Sequence, residues 1–272
     1  QPEKKTVPDV PFEPTPGDVV ERMVRIADLK KTDVVYDLGC GDGRIVIAAV
    51  KHAGCRGVGI DIDAALVTKS RENAARAGVA GRTRFIEQDL FTADIREATV
   101  VMLFLWPEVN IRLRPILLNE LRPGSRVVSH MHTMGEWKPD RMEAMGRREI
   151  MLWVIPANAS GTWTWKTAGG GAHVLEIEQR YQRIRGALSR GQHQRTIAEA
   201  VLSGDRISFT VEGEMSGARA MREYRGVVRG DTIAGTVVEK WEAKVRTSQW
   251  KAVRDPATAG SITHSVTQQP WP

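Results

Sequence analysis

"VVYDLGCGDGRIVIAAV", Val34 to Val50, is the stretch that decides how this sequence is read. An apolar run stops at Asp37, glycines follow at Gly39, Gly41 and Gly43, and a second apolar run begins. A short, continuously apolar, Val-rich segment fits a strand buried on both faces. A glycine-rich turn that then opens a helix puts backbone amides at the carboxyl edge of a parallel sheet, where such sheets bind ligands. The dinucleotide form of this turn is G-x-G-x-x-G, which meets a diphosphate. Here the pattern is D-x-G-x-G-x-G. A carboxylate at Asp37 repels a diphosphate and suits a ligand with a cationic amine. The glycines let the backbone approach that ligand with no Cβ in the way. A nicotinamide dehydrogenase is therefore disfavoured.

The next two strands extend the pattern. "RGVGIDID" ends on Asp61, placed to accept both hydroxyls of a ribose, with Asp63 the second choice. "RTRFIEQDL" ends on Asp89, which can accept from an exocyclic amine, with Leu90 against a purine face. An amine-binding, a ribose-binding and an adenine-binding acid at three consecutive strand ends describe S-adenosylmethionine. Over roughly Val10 to Pro156 the chain resembles the class I, Rossmann-like, S-adenosylmethionine-dependent methyltransferases. The resemblance implies that Asp37, Gly39, Gly41 and Gly43 line the methionine part of this cofactor. It gives Asp61 the ribose, Ile62 a place beside the adenine, and Asp89 with Leu90 the adenine edge.

Around these strands the periodicity alternates. "TPGDVVERMVRIADL" reads as a helix capped by Thr15 or Asp18, with Val19, Met23, Ile26 and Ala27 on one face. Helical and strand-like segments then follow in turn as far as "REIMLWVIP", the last strand of a doubly wound, mostly parallel α/β sheet. After Pro156 short alternating runs replace helices, punctuated by turn residues, and "SGDRISF" and "RGDTIAG" repeat one hairpin device. That texture fits a small all-β antiparallel meander, barrel-like. The expected organisation is an arm over 1–16, a methyltransferase domain over 17–156, a barrel-like domain over 157–254 and a disordered tail over 255–272.

The chain of 272 residues carries a net charge of +6. Up to Pro156 there are 23 Lys/Arg against 22 Asp/Glu, and beyond it 16 against 11, so the basic excess lies in the second part. This bias is too thin to argue for nucleic acid, which is disfavoured as a partner. No apolar run is long enough for a membrane span. Cys40 and Cys55 have no metal-type spacing and read as small buried residues.

The methyl acceptor is less determined. Methyltransferases acting on the amino groups of adenine or glutamine carry Asn/Asp-Pro-Pro-aromatic after the fourth strand, and this chain has "LFLWPEVN" there. The arm "PFEPTP", with "DLGCGDGRIVIAA" and "LRPILLNELRPGSRVVS", resembles a narrower group, the small protein-lysine methyltransferases and their uncharacterised bacterial relatives. In that group the arm covers the cofactor near the transferred methyl, which puts Phe12, Pro14, Thr15 and Pro16 in those positions. Phe12, Thr15, Trp106 and Asn110 are the candidate catalytic residues, with Glu108 a further lining group. A protein lysine or a small molecule is the expected acceptor. "SHMHTM" sets His130 and His132 on one side of a strand end with no third ligand in view, so no metal is assigned.

"SGTWTWK" has a Gly-x-Trp start that resembles that of lipocalin barrels, and Trp163, Trp165, Trp241 and Trp250 read as core. Substrate docking is the role expected of this part. The competing reading is a catalytically weak S-adenosylmethionine-binding module whose β domain binds a ligand or partner. Because the donor is made in the cytoplasm, that compartment is expected. A start at Gln1 with a proline-rich arm also fits export to the periplasm after signal-peptide removal.

Overall fold

The structure is a computed structural model and describes residues 7, 9–167, 171–215 and 217–263. The rest of the expected arm, 1–6 and 8, and the end of the expected tail, 264–272, lie outside the described residues. The described residues fall into two compact units divided between Ile155 and Pro156.

The first unit is a seven-stranded sheet with helices. Strands β1 (Val34–Leu38), β2 (Arg56–Asp61), β3 (Thr83–Glu87), β4 (Val100–Leu103) and β5 (Arg126–His130) are followed by β6 (Arg141–Met145) and β7 (Arg148–Val154). Their spatial order is β3-β2-β1-β4-β5-β7-β6. β1 to β5 run parallel, and β7 lies antiparallel to both β5 and β6. The sequence reading contained no β6. "RMEAM" alternates over only four residues and in the inverted sense, with Met142 and Ala144 exposed and Glu143 half-buried, so the strand signal is weak.

Four helices accompany the sheet: α1 (Gly17–Ile26), α2 (Arg44–Ala53), α3 (Ala64–Arg76) and α4 (Pro107–Glu120). α1 starts after Pro16 with no side-chain cap, so neither Thr15 nor Asp18 has the expected capping role. Its Val19, Val20, Met23 and Val24 are buried in one core with Val35, Ile45, Ala49, Met102 and Val128. The two strands that flank the site, β1 and β4, are fully buried, and for that reason read as uninterrupted apolar runs. Among the described residues no helix is long and apolar enough to cross a membrane.

The second unit is a nine-stranded antiparallel sheet in the order β11-β10-β9-β8-β16-β15-β14-β13-β12. Its strands are β8 (Gly161–Lys166), β9 (Ala172–Arg180), β10 (Arg183–Arg190), β11 (His193–Thr196), β12 (Ala198–Ser203), β13 (Arg206–Met215), β14 (Ala218–Arg229), β15 (Thr232–Trp241) and β16 (Lys244–Arg254). The two edge strands, β11 and β12, are consecutive in the chain. β11 pairs with β10, β12 pairs with β13, and Ile197 between them donates its N–H to the Gly186 carbonyl at 3.0 Å. One bent segment thereby brings both edges together, and the sheet is a nearly closed barrel. Ser203 pairs with Arg206 and Arg229 with Thr232, so both Gly-Asp pairs occupy two-residue hairpin turns.

Trp163, Trp165, Leu175, Leu188, Phe209, Tyr224 and Trp250 pack in the interior. Room for Trp250 comes from Gly226 and Gly235, which face each other across β14 and β15. A Cβ on Gly226 would lie 3.2 Å from the Trp250 ring. The chain does not turn irregular at 255: Asp255 caps a single 3-10 turn, Pro256–Thr258, and Thr258 Oγ1 accepts from Thr162 N at 2.8 Å. The first residues of the expected tail are therefore ordered against β8.

Candidate functional site

The site lies at the carboxyl ends of β1, β2 and β3, where the chain leaves each strand for a turn. A cavity there is lined by Asp37, Gly39, Cys40 and Gly41 from the first turn, Asp61, Ile62 and Asp63 from the second, and Gln88, Asp89 and Leu90 from the third. Asp9 to Thr15 of the arm line its other side, with Phe104 and Leu105 from beyond β4. Seven carboxylates and one guanidinium line the cavity, and that guanidinium, on Arg44, is tied to Asp42. Such a lining attracts a cation and repels a diphosphate.

Asp37 is 1% exposed, and its Oδ2 has no hydrogen-bond partner among the described residues. Burial, reinforced by Asp61 and Asp42, pushes its carboxyl well above the ordinary carboxylate range. A buried acid left unpaired in a ligand-sized cleft is an expensive arrangement that an incoming ammonium group would satisfy. Asp61 is differently placed. Its Oδ2 accepts from Gly41 N at 2.8 Å and its Oδ1 from Asp63 N at 3.0 Å. It therefore holds the glycine turn in shape while each oxygen keeps a lone pair for a ligand hydroxyl.

The glycines are steric necessities of different kinds. At Gly39 and Gly41, φ is +81° and +53°, and a Cβ would meet Leu105 at 2.8 Å and the Phe12 ring at 2.3 Å. Gly43 departs from expectation, because it does not line the cavity. It precedes α2 at φ +78°, and a Cβ there would press on Phe85 at 2.8 Å and Ser70 at 3.0 Å. Its role is close packing of helix on sheet. Asp63 caps α3 by accepting from Ala65 N and Leu66 N, which accounts for the second acid of "DID". Asp89 accepts from Phe91 N at 3.0 Å and turns the chain so that Leu90 faces the cavity.

Of the four catalytic candidates, Phe12 and Thr15 line the cavity, and Trp106 and Asn110 do not. Trp106 precedes α4 and is 50% exposed. Asn110 is fully buried and donates to Ser129 Oγ at 3.3 Å and the His132 carbonyl at 3.2 Å, a bridge between α4 and the end of β5. Helical phase explains the miss: the residue three after Pro107 turns toward the sheet, not toward the cavity mouth. His130 is 3% exposed, neither ring nitrogen has a hydrogen-bond partner among the described residues, and its ring lies 4.3 Å from that of Phe104. Burial first, then Arg148 and His132, lower its pKa to about 4, so it is neutral at physiological pH. Among the described residues no group of three or more His, Cys, Asp or Glu stands together as a metal site.

Sequence reasoning missed three contributors. Arg44 donates to the Thr15 carbonyl at 2.9 Å and clamps the arm to the glycine turn. Phe104 and Leu105 supply an apolar wall. Cys40 lines the cavity as a neutral thiol, its pKa pushed up by burial and by Asp37 and Asp61. Arg44 was discoverable: an arginine directly after the last glycine sits in the first turn of the helix, beside whatever covers the turn.

Comparisons with known proteins agree with this geometry. The profile of the ANTKMT methyltransferase domain matches residues 37–141. A protein-lysine N-methyltransferase of Saccharolobus islandicus is 46% identical over 134 residues, 49% of this chain and 83% of that protein. The adenine nucleotide translocase lysine N-methyltransferase of Mus musculus is 33% identical over 47% of this chain and 55% of its own length. The chain thus spans about half of that longer relative. Among solved structures, an RNA methyltransferase from Salinibacter ruber in complex with S-adenosyl-L-homocysteine is 55% identical, with a TM-score of 0.52, over 53% of this chain and 94% of that one. Each match spans about half of this chain. A relative matched over most of its own length, on a fold whose strand ends carry the acids expected of the donor site, establishes that this chain belongs to the class I S-adenosylmethionine-dependent methyltransferases and is similar to the small protein-lysine enzymes among them.

Proposed function

We propose that this methyltransferase transfers its methyl group to the ε-amine of a lysine in a protein. The observation that carries this reading is the 46% identity to a protein-lysine N-methyltransferase along 83% of that enzyme. The loop after β4 agrees with it. "LFLWPEVN" offers no Asn/Asp-Pro-Pro-aromatic clamp for a planar amino group. A small-molecule amine is the less favoured acceptor.

S-adenosylmethionine, when bound, supplies a methyl group on a cationic sulfonium. The chain's own residues hold and align it. Asp37 would accept from the amino acid's ammonium, Asp61 from the ribose, and Asp89, Leu90 and Ile62 would meet the adenine. Gly39 and Gly41 give the backbone close access. The wall of Phe12, Phe104 and Leu105 would exclude water from the bound donor and limit the directions from which an acceptor amine can approach. An apolar lining also favours the neutral amine, the only form with a lone pair to donate. His132 lies within the field of Glu108 and Glu13, which raise its pKa against the larger lowering by burial. Glu13, which lines the cavity, draws a lysine ammonium toward it. The donor's source puts the working compartment in the cytoplasm.

The Salinibacter relative, named for RNA, favours a second acceptor class. One experiment separates them. A cell extract is incubated with the purified chain and tritiated S-adenosylmethionine, then divided between protease and ribonuclease. Label released by protease alone, and recovered as methyl-lysine on acid hydrolysis, is the expected result. Label released by ribonuclease alone would replace lysine with RNA.

A further inference from the structure

The second unit has a cavity of its own, and its chemistry is the reverse of the donor site's. It measures about 440 Å³, in the range of small-molecule sites. The body of the barrel is not hollow. Trp165, Phe209, Tyr224 and Trp250 fill it, with ring centroids 4.8 to 6.1 Å apart where they meet. What remains is a bowl at one end, above an aromatic floor.

The floor is made by Tyr224, Leu188, Val211 and His173. His173 is 7% exposed, stacks on Trp165 at 5.0 Å with 7° between the rings, and its Nδ1 has no partner among the described residues. Tyr224 is 3% exposed and lies flat on Phe209 at 4.8 Å. Both rings are held rigidly, so ordering them costs a ligand nothing on binding.

The wall is cationic. Arg190, Arg195 and Arg222 line the bowl. Strand alternation puts Arg190 on the same face of β10 as Leu188, at the exposed end of the strand, and its Nε packs against Gly171, 2.9 Å from where a Cβ would be. Among the described residues, neither Arg190 nor Arg195 has an ion-pair partner. Glu239 is 8% exposed and takes two guanidiniums, Arg222 at 3.1 Å and Arg246 at 2.7 Å, so that buried group keeps one positive charge over. Of the two acids on the rim, Glu212 is held by Arg219 at 2.9 Å, and Glu214 has its backbone carbonyl bonded by Arg222. Three arginines and two glutamates line the bowl itself.

We propose that the open end of the barrel is a binding site for a small organic anion, an aromatic or apolar carboxylate whose body lies on the Tyr224–His173 floor and whose charge meets Arg190 and Arg222. Arg190, unpaired at the exposed rim, can take a carboxylate through paired N–H donors, Arg222 adds the positive charge left over at Glu239, and the filled core below excludes long apolar chains. The site is separate from methyl transfer: it lies wholly in the second unit, and none of its residues belongs to the donor cavity.

The test uses the full chain and two probes of the same shape, 2-naphthoate and the neutral 2-naphthamide, followed by tryptophan quenching and calorimetry. The naphthoate is expected to bind at least about tenfold tighter than the amide, and excess S-adenosylmethionine is expected not to displace it. Arg190→Ala should weaken the naphthoate by about fivefold or more and leave the amide unchanged. Lys251→Ala, which removes an outward-facing charge from β16, should change neither. Arg190→Gln provides the same reading if the alanine variant misfolds by circular dichroism. Equal affinity for the two probes, displacement by S-adenosylmethionine, or no saturable naphthoate binding at millimolar concentration overturns the proposal.

Discussion

Asp37 in the first unit and Arg254 in the second are both buried charged side chains, and the fold treats them in opposite ways. Asp37 is 1% exposed, and its Oδ2 has no partner among the described residues. Arg254 is 7% exposed and is satisfied from every side. It donates to Asp231 at 2.8 Å and to the carbonyls of Asn158 and Ser160 at 3.0 Å, with its guanidinium 4.8 Å from the Trp163 ring centre. A buried charge is tolerated when the fold supplies its counter-groups. Arg254 is therefore a structural clasp, joining the last strand to the segment that starts the barrel. Asp37 has its counter-group left out, and the missing partner is the ligand's to bring.

The largest effect expected from this contrast is on stability. Arg254→Leu leaves three carbonyls, of Asn158, Ser160 and Gly230, without their donor and should cost the second unit about 3–5 kcal/mol, on the order of 1–2 for each unsatisfied group. Chemical denaturation followed by tryptophan fluorescence measures it. S-adenosylmethionine affinity should stay within about twofold, since the side chain contributes nothing to the donor cavity. A loss under about 1 kcal/mol would remove Arg254 from the structural class.

Asp37→Asn should act in the other direction on stability and strongly on binding. The folded-state pKa of Asp37 is raised. As pH climbs past the unfolded value of about 4, the unfolded chain releases this proton while the folded chain retains it, and folding loses stability up to the raised pKa. Asparagine removes that loss. The ligand-free variant should melt higher than the parent at pH 8, with the gain fading toward pH 4. Its affinity for S-adenosylmethionine should fall by about ten- to a hundredfold, the worth of a charge-assisted hydrogen bond. Calorimetric titration and thermal melts across pH read both. A variant that melts lower and binds normally would make Asp37 a structural acid after all.

How much of this was legible in the sequence follows from where the information is stored. The donor site is local. Each acid stands at the end of an apolar strand, and strand ends of a parallel sheet converge on one edge whatever the loops do, so Asp37, Asp61 and Asp89 could be placed together from spacing alone. Gly43 was placed there too, because a glycine required by packing against Phe85 is indistinguishable in sequence from one required by a ligand. Asn110 failed for a related reason: its burial depends on the phase of a helix against the sheet. β6 was passed over because its alternation is short and, at an exposed edge, turns its apolar Met142 and Ala144 outward. In the barrel, the meander was plain from its alternation. The closure through Ile197, the Gly226–Gly235 gap that admits Trp250, and the ring of arginines at one mouth all depend on how strands register against one another, which the pattern within a strand does not carry.

The smallest predicted effect concerns a charge of intermediate kind. Arg44 is half-buried and partnered, yet its partners belong to different segments: Asp42 at 2.7 Å in the glycine turn and the Thr15 carbonyl at 2.9 Å in the arm. The pair with Asp42 joins residues two apart in one turn and keeps partial contact with solvent, so it contributes little to folding. The bond to Thr15 is different, because it fixes the strap that carries Phe12 against Gly41. Arg44→Ala should therefore leave the melting temperature nearly unchanged and weaken S-adenosylmethionine by only about two- to fivefold, the worth of one hydrogen bond partly replaced by water. The loss should appear in the dissociation rate, since a looser arm opens more often without altering the contacts beneath it. Stopped-flow measurement of cofactor release decides the point. An unchanged release rate would mean that Phe12 and Pro14 hold the arm by packing alone, and that the cover over the donor, like its missing counter-charge, is completed by the ligand.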